Sequence, residues 1–293
     1  MEPSGFKKLL TKKVPHIHEK ILLSLDYVAF KNCHGVCKTW DELLIAESFL
    51  KKAYSLHRLQ IDEELYHYSA VGDLEKMENL LLKGANPNGN EEAGKNPLLL
   101  SAIKYKKLAV KLLLNHGADP NVADKSGRTP LCYAVHNGQN DMVKLLLHHG
   151  ANPDMMDKKK LHLLHSAAGP LGSKEIVETL LDGGANSKIA DIWGLTPLHT
   201  AVIFGRGNVV ETLLRGGAAS NAANYIGKTP LHYAAMHGHK EVVEKLLDGG
   251  ANPNVADNSG HTPLHVAEIH RREAVAKILQ DAGAQNKQSC TII

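Results

Sequence analysis

The chain has 293 residues, 43% of them hydrophobic and 22% charged, a composition that suits packed domains rather than disorder. Its net charge of +3 is uneven: residues 1–60 hold ten Lys/Arg against six Asp/Glu, which leaves residues 61–293 at −1. A nearly neutral body lacks the basic stripe that nucleic-acid binding requires, so no nucleic-acid partner is expected. No apolar run approaches the roughly 20 residues of a membrane span, and the start MEPSGFKKLLTKKVPH has no continuous apolar stretch of the kind a secretory signal carries. Four cysteines (Cys33, Cys37, Cys132, Cys290) form no evenly spaced disulfide framework, which points to a reducing, cytoplasmic setting.

Residues 1–13 read as an N-terminal arm. The adjoining stretch, VPHIHEKILLSLDYVAFKNCHGVCKTWDELLIAESFLKKAY (14–54), carries helical spacing twice. Ile21, Leu22 and Leu25 form one short stripe; Phe30, Cys33, Val36 or Cys37, Trp40 and Leu43 or Leu44 form a second. Asp26 and Ser48 are expected to open helices. Three short helices in so few residues make a thin core, and a domain of about 40 residues usually needs outside support, so a partner protein is expected here. A Cys33/Cys37 pair with His34 lacks a fourth metal ligand and lies on an apolar stripe, so no metal site is expected.

This segment resembles the F-box, particularly the type found in β-transducin-repeat ubiquitin ligase adaptors. The resemblance is carried by Pro15, the pattern of His16, Ile17, Glu19, Ile21, Leu22, Leu25 and Asp26, the VCK-x-W stretch at 36–40, and LKK at 50–52. It departs from the family at Val14, where leucine is usual, and at Leu50, where a second tryptophan is frequent. The resemblance implies docking to the linker protein Skp1 and, through it, to a cullin–RING ligase. Pro15, Ile17, Ile21, Leu22, Leu25, Val36, Trp40 and Leu50 would fill the apolar pockets or the small core beneath them, with Cys37 a packing residue. The F-box is expected over 14–55 and a linker over 56–61; the alternative for this segment is a helical cap on the remainder of the chain.

From residue 85 the dipeptide Gly-Ala recurs with its Ala at 85, 118, 151, 185, 218, 251 and 284, at intervals of 33 broken once by 34. A leucine-rich run precedes each Gly-Ala, and the middle of the unit reads TPLCYA (129–134), TPLHTA (196–201), TPLHYA (229–234) and TPLHVA (262–267). Thr suits a helix N-cap and Pro the first turn behind it. Leu198, Leu231 and Leu264, with the alanines after them, are expected to face the next helix, and a second helix brings Val209, Val210, Leu213 and Leu214 to one side before stopping at glycine. The pattern resembles the ankyrin repeat, seven units over 62–286, each unable to bury its own face without neighbours. The fourth unit, DKKKLHLLHSAAGPLGSKEIV (157–177), has Lys160, His162 and Leu163 where its neighbours have Gly, Thr and Pro; it is expected to have a distorted hairpin and, with one extra residue near Pro170–Gly172, a longer turn between its helices. His165, His199, His232 and His265 share one repeat position and are expected to bridge adjacent loops rather than bind metal. The fold class is therefore all-α: a small three-helix F-box followed by a seven-unit ankyrin solenoid with short β-hairpin loops.

The ankyrin resemblance implies protein binding through hairpin tips and the exposed face of the first helices. Mapped onto this chain, those positions carry Ile192, Trp193, Leu195, Ile203 and Phe204 in unit five, and Tyr225, Ile226, Tyr233 and Met236 in unit six. An apolar, aromatic cluster of this kind marks an expected contact surface for a protein substrate; the alternative is that Trp193 and Phe204 pack on their own repeat. No nucleophile–base pair and no Gly-rich phosphate loop stands out, so neither an enzyme nor a cofactor is expected. The tail 287–293 ends in Cys290-Thr291-Ile292-Ile293, which fits a prenylation box, so a prenyltransferase and a membrane surface are expected partners of Cys290. With Lys287 alone nearby, one lipid would give modest, reversible attachment. The layout resembles F-box/ankyrin effectors that intracellular bacteria such as Legionella deliver into host cytosol, and equally a eukaryotic adaptor. The expected function is a substrate-recruiting adaptor of an SCF-type ligase; the alternative is a non-ligase ankyrin scaffold.

Overall fold

The computed structural model describes residues 40–90, 94–156, 162–170 and 172–285, with side chains from Ser55 onward. The expected F-box positions Pro15, Ile17, Ile21, Leu22, Leu25 and Val36 and the tail with Cys290 lie outside these residues. The first helix, α1, runs Trp40–Val71 without a break. It contains neither Gly nor Pro, so nothing in the backbone stops it at Ser48 or over 56–61, the positions expected for a helix start and a linker. Trp40 and Leu50 therefore lie on the same helix whose far end supplies Ile61 and Leu65 to the core of the first repeat. Gly72, at φ +82°, ends it in the left-handed conformation that L side chains avoid, and the Asp73 side chain caps the next helix.

Among the described residues thirteen further helices follow, the first pairing with α1 and the other twelve with one another. Unit one is completed by α2 (Leu74–Leu82). Unit two has α3 (Pro97–Ile103) and α4 (Lys107–Asn115), unit three α5 (Pro130–His136) and α6 (Asn140–His148), and unit four α7 (Leu163–Ala168) and α8 (Lys174–Asp182). Unit five has α9 (Pro197–Ile203) and α10 (Gly207–Arg215), unit six α11 (Pro230–His237) and α12 (Lys240–Asp248), and unit seven α13 (Pro263–Ile269) and α14 (Glu273–Asp281). The Thr-Pro starts behave as the sequence predicts: Thr129, Thr196 and Thr262 accept the backbone N–H three residues on, and Pro occupies the first turn. Inner-helix leucines (Leu98, Leu131, Leu164, Leu198, Leu231) and outer-helix pairs such as Val210 with Leu213 form one continuous buried core. Each such side chain is worth about 1.5–3 kcal/mol when fully buried. Small residues at Ala134, Ala201, Ala234 and Ala267 let consecutive inner helices approach. No strand is present among the described residues; the hairpins are tight turns, with isolated bridges at Asn90–Lys95 and Met156–His162.

Two polar ladders cross the units. In the first, a side-chain oxygen in one loop accepts the backbone N–H of the next: Asn88 from Asp119, Asn121 from Asn152, Asp154 from Asn186, Asn221 from Asn252 and Asn254 from Gln285. At the step from unit four to unit five the corresponding residue is Lys188, which has no acceptor to offer, and Ser187 Oγ donates to Gly216 O instead. The second ladder is the histidine set. Nε2 of His165, His199 and His232 donates to the carbonyl of Leu195, Lys228 and His261 at 2.8, 3.1 and 3.0 Å. Nδ1 of His199 and His232 accepts the N–H of Thr196 and Thr229 at 3.1 and 3.0 Å, which fixes each ring as the neutral Nε2–H form. Burial pushes all three imidazoles below the ordinary histidine range, His199 to about 4. His265, in the last described unit, is exposed, and no described loop follows for it to bridge.

Unit four is irregular in the way its sequence suggests. Its inner helix has six residues, and His162 at the cap position makes no side-chain cap bond. His162 Nδ1 contacts Asp154 O at 3.2 Å, and the buried Nδ1 of His165 has no partner. The turn behind α7 passes so close to that helix that a Cβ on Gly172 would lie 1.7 Å from Ala167 O.

Candidate protein-binding surface

Each tip is built by one side chain that accepts two backbone N–H groups of its own turn. Asp191 Oδ1 takes those of Trp193 and Leu195, both at 2.9 Å, and Asn224 Oδ1 those of Ile226 and Lys228 at 3.2 and 2.9 Å. With the carboxylate or amide folded into the turn, the intervening apolar side chains point outward. Gly194, at φ +77°, is required twice over: its conformation is left-handed, and a Cβ there would sit 3.0 Å from the Tyr225 ring. Neighbouring tips are joined directly. Tyr225 N–H donates to Trp193 O at 3.2 Å, Asn258 N–H to Ile226 O at 3.1 Å, and the Asn258 amide to Tyr225 O at 3.1 Å. The tips of units five to seven thus form one hydrogen-bonded edge rather than three independent loops.

The side chains on that edge are bare: Trp193 is 63% exposed, Tyr225 71%, and Ile192 and Ile226 about half. Phe204 is also exposed, but it caps the far end of α9, so the length of that helix separates it from Trp193, roughly 10 Å at 1.5 Å per residue. Leu195 and Ile203 are half-buried. Tyr233 and Met236 correct the expectation of freely exposed contacts, because both pack against the core while keeping one side open. The Tyr233 hydroxyl accepts from the Asn224 amide at 2.9 Å, which ties the inner helix of unit six to its tip. The expected single patch is therefore two clusters, one on the tips and one at the ends of the inner helices, where Ile203 shares a register with Met236, with Tyr233 between the two.

The second cluster extends beyond the residues that the sequence singles out. Ile269 is 56% exposed and stands one repeat beyond Met236 and two beyond Ile203, so the same register that selects those residues also selects it. Beside it lie exposed His270 and Arg271. His237, stacked on His239 with ring centroids 5.6 Å apart, has its pKa lowered by partial burial and by the neighbouring His239, Arg272 and His270. Among the described residues no group of three or more His, Cys, Asp or Glu is placed to hold a metal, and Cys132 is buried. No described helix is long and apolar enough to cross a membrane.

A stack of helix pairs with tight hairpin tips and an exposed apolar edge is the architecture of a repeat protein. The family model for ankyrin repeats matches in three copies, over residues 65–157, 151–224 and 218–290, and the chain belongs to the ankyrin-repeat family. Among solved structures it is similar to the ankyrin repeat domain of Bcl-3, described as a unique member of the IkappaB protein family. The two share 29% identity with a TM-score of 0.67 over 74% of this chain and 97% of that one. No curated protein sequence matches the chain. The repeats define a protein-interaction module.

Proposed function

We propose that units five and six hold a protein substrate and that the chain serves as the substrate-recruiting adaptor of an SCF-type ubiquitin ligase. The observation that carries the capture half is the tip edge, where Trp193 and Tyr225 stand exposed on turns held rigid by their own Asp191 and Asn224. Rigid aromatic side chains contribute large contact area at small entropic cost, which is what binding hot spots use. The double substitution Trp193→Ala with Tyr225→Ala is expected to weaken substrate capture at least about tenfold, as loss of two hot-spot aromatics does. Circular dichroism and Tm should stay at wild-type values, since neither side chain is in the core. Wild-type capture by this variant would discard the tip edge as the contact surface.

The adaptor half rests on the F-box resemblance of residues 14–55, with Pro15, Ile17, Ile21, Leu22, Leu25, Val36, Trp40 and Leu50 as the Skp1 contacts. Ubiquitin transfer would then be done by the cullin–RING subunits, and this chain would contribute proximity and orientation. One observation favours the second reading, a scaffold whose N-terminal helix caps the stack: α1 continues unbroken from Trp40 into the first repeat. Co-expression with Skp1 separates the two. A co-purifying complex that Trp40→Ala disrupts is the expected result for the adaptor, and absence of any complex would leave the scaffold. Cys290 is proposed to carry a prenyl group that brings the cytoplasmic chain to a membrane, in the host cytosol if the chain is a bacterial effector. Cys290→Ser is expected to shift the protein from the membrane to the soluble fraction in prenylating cells; equal distributions would remove the lipid.

A further inference from the structure

The turns between inner and outer helices in units five to seven carry seven basic or imidazole side chains at one edge of the solenoid: Arg206; His237, His239 and Lys240; and His270, Arg271 and Arg272. The acids in the same turns are Glu241 and Glu273, and Glu241 lies 3.4 Å from Lys245. Three of the seven occupy one repeat position and are used internally. Arg206 donates to the carbonyls of Gly169, Pro170 and Gly172, His239 Nε2 to Ile203 O, and Arg272 Nε to Met236 O. Each thereby satisfies carbonyls at the end of the preceding inner helix, a structural duty. His237, His270 and Arg271 have no such duty: among the described residues their side chains make no hydrogen bond or ion pair, and all three are exposed.

Arg271 is the telling residue. Gly205, Gly238 and Arg271 share a register and all adopt the left-handed conformation, at φ 65°, 78° and 55°. Glycine does so freely, whereas a side chain there costs conformational energy. Tyr105, at the same register in unit two, also adopts it, at φ 59°; in unit seven the side chain carried there is an exposed cation. Directly alongside run Phe204, Met236 and Ile269, apolar and wholly or partly open.

We infer that this edge of units five to seven takes an acidic segment of the protein partner, with carboxylates meeting His237, His270 and Arg271 and interspersed apolar side chains seated on Phe204, Met236 and Ile269. The inference rests on the capture reading above and names the chemistry of what is captured. The fixed charge of Arg271, with the imidazole N–H donors beside it, complements such a segment, and the apolar positions alongside distinguish it from a bare phosphate backbone, which has nothing to bury there.

The test uses the full chain and two fluorescein-labelled synthetic peptides that share the same Leu and Phe positions, one with Glu and Asp between them and the other with Lys. The acidic peptide is expected to bind at least about tenfold more tightly, with a preference that shrinks as salt rises. Arg271→Gly is the decisive variant, because it restores the residue found at positions 205 and 238. It should keep or raise the Tm while weakening the acidic peptide at least about threefold, which separates binding from folding. Equal binding of the two peptides, binding of neither, or an unchanged preference in Arg271→Gly would overturn the inference. So would an oligonucleotide that displaces the acidic peptide and itself binds more tightly. Equal binding that is lost in the Trp193→Ala, Tyr225→Ala variant would remove the acidic class and leave the capture surface standing. An acidic preference that ignores that variant would do the reverse to the tip edge.

Discussion

His199→Ala is expected to destabilise the array by about 3 kcal/mol, while His265→Ala should cost no more than about 0.5 kcal/mol, although both histidines occupy the same repeat position. His199 is fully buried and spends both ring nitrogens, one on the Thr196 N–H and the other on the Lys228 carbonyl of the following unit. Removing the ring leaves a buried donor and a buried acceptor unpaired and opens a hole between two tips. No described unit follows His265, and its exposed imidazole stacks on His261. Chemical denaturation of the two variants checks the contrast; equal effects would show that the inter-unit bridge contributes nothing.

The same geometry sets a pH dependence whose sign comes from linkage. The folded pKa of His199 is about 4, below the 6.5 of an ordinary histidine, so the fold favours the neutral ring. Between those values the unfolded chain binds more protons, and stability rises with pH. The contribution is fully present above pH 6.5 and is lost as pH falls toward 4, by about 3 kcal/mol for His199. His165 and His232 are shifted the same way by the same burial and add to the loss. Denaturation midpoints should therefore hold steady above neutrality and fall on mild acidification, and the fall should be shallower in His199→Ala. A midpoint that stays flat from pH 7 to 5 would show that these rings are not held neutral.

Those bridges are legible in the sequence because they depend on register alone. A residue that recurs every 33 positions meets the same surroundings each time, so the role of one TPLH histidine is the role of the next, up to His265 in the last described unit. Exposure depends on more than register. Trp193 and Tyr233 both read as outward apolar residues, yet one stands on a turn and the other leans on the core, a difference set by how inner helices fan beside one another. The far cluster is only half visible for the same reason: Ile203, Phe204 and Met236 are picked out in units five and six, while Ile269, which continues the register of Ile203 and Met236, is not. The expected break at 56–61 fails for a local reason that composition already holds, since no Gly or Pro interrupts residues 40–71. Unit four is marked by its missing Thr-Pro and extra residue, but the side chain that repairs it comes from unit five and cannot be read from unit four.

That side chain sets the other large effect. Arg206→Ala should cost about 2–3 kcal/mol, placed almost wholly in unit four, because hydrogen bonds from a charged donor are worth about 1.5–3 kcal/mol each and partial exposure discounts the sum. Arg206 Nη1 donates to Gly169 O at 2.6 Å and Pro170 O at 3.1 Å, and Nη2 to Gly172 O at 2.8 Å. The planar fork is what reaches all three carbonyls of the lengthened turn, so Arg206→Lys should recover less than half the loss. Unit four has little in reserve: its cap residue His162 makes no side-chain cap bond, His165 Nδ1 is buried without a partner, and Lys188 interrupts the loop ladder at its exit. In a solenoid, stability is a sum over units and nearest-neighbour interfaces, so weakening the middle uncouples the ends. Amide exchange in Arg206→Ala should accelerate through α7 and α8 and leave α11 and α12 protected, and denaturation should broaden or split into two transitions. A single sharp transition with uniform exchange would mean that the turn is held by its own backbone and that Arg206 is dispensable.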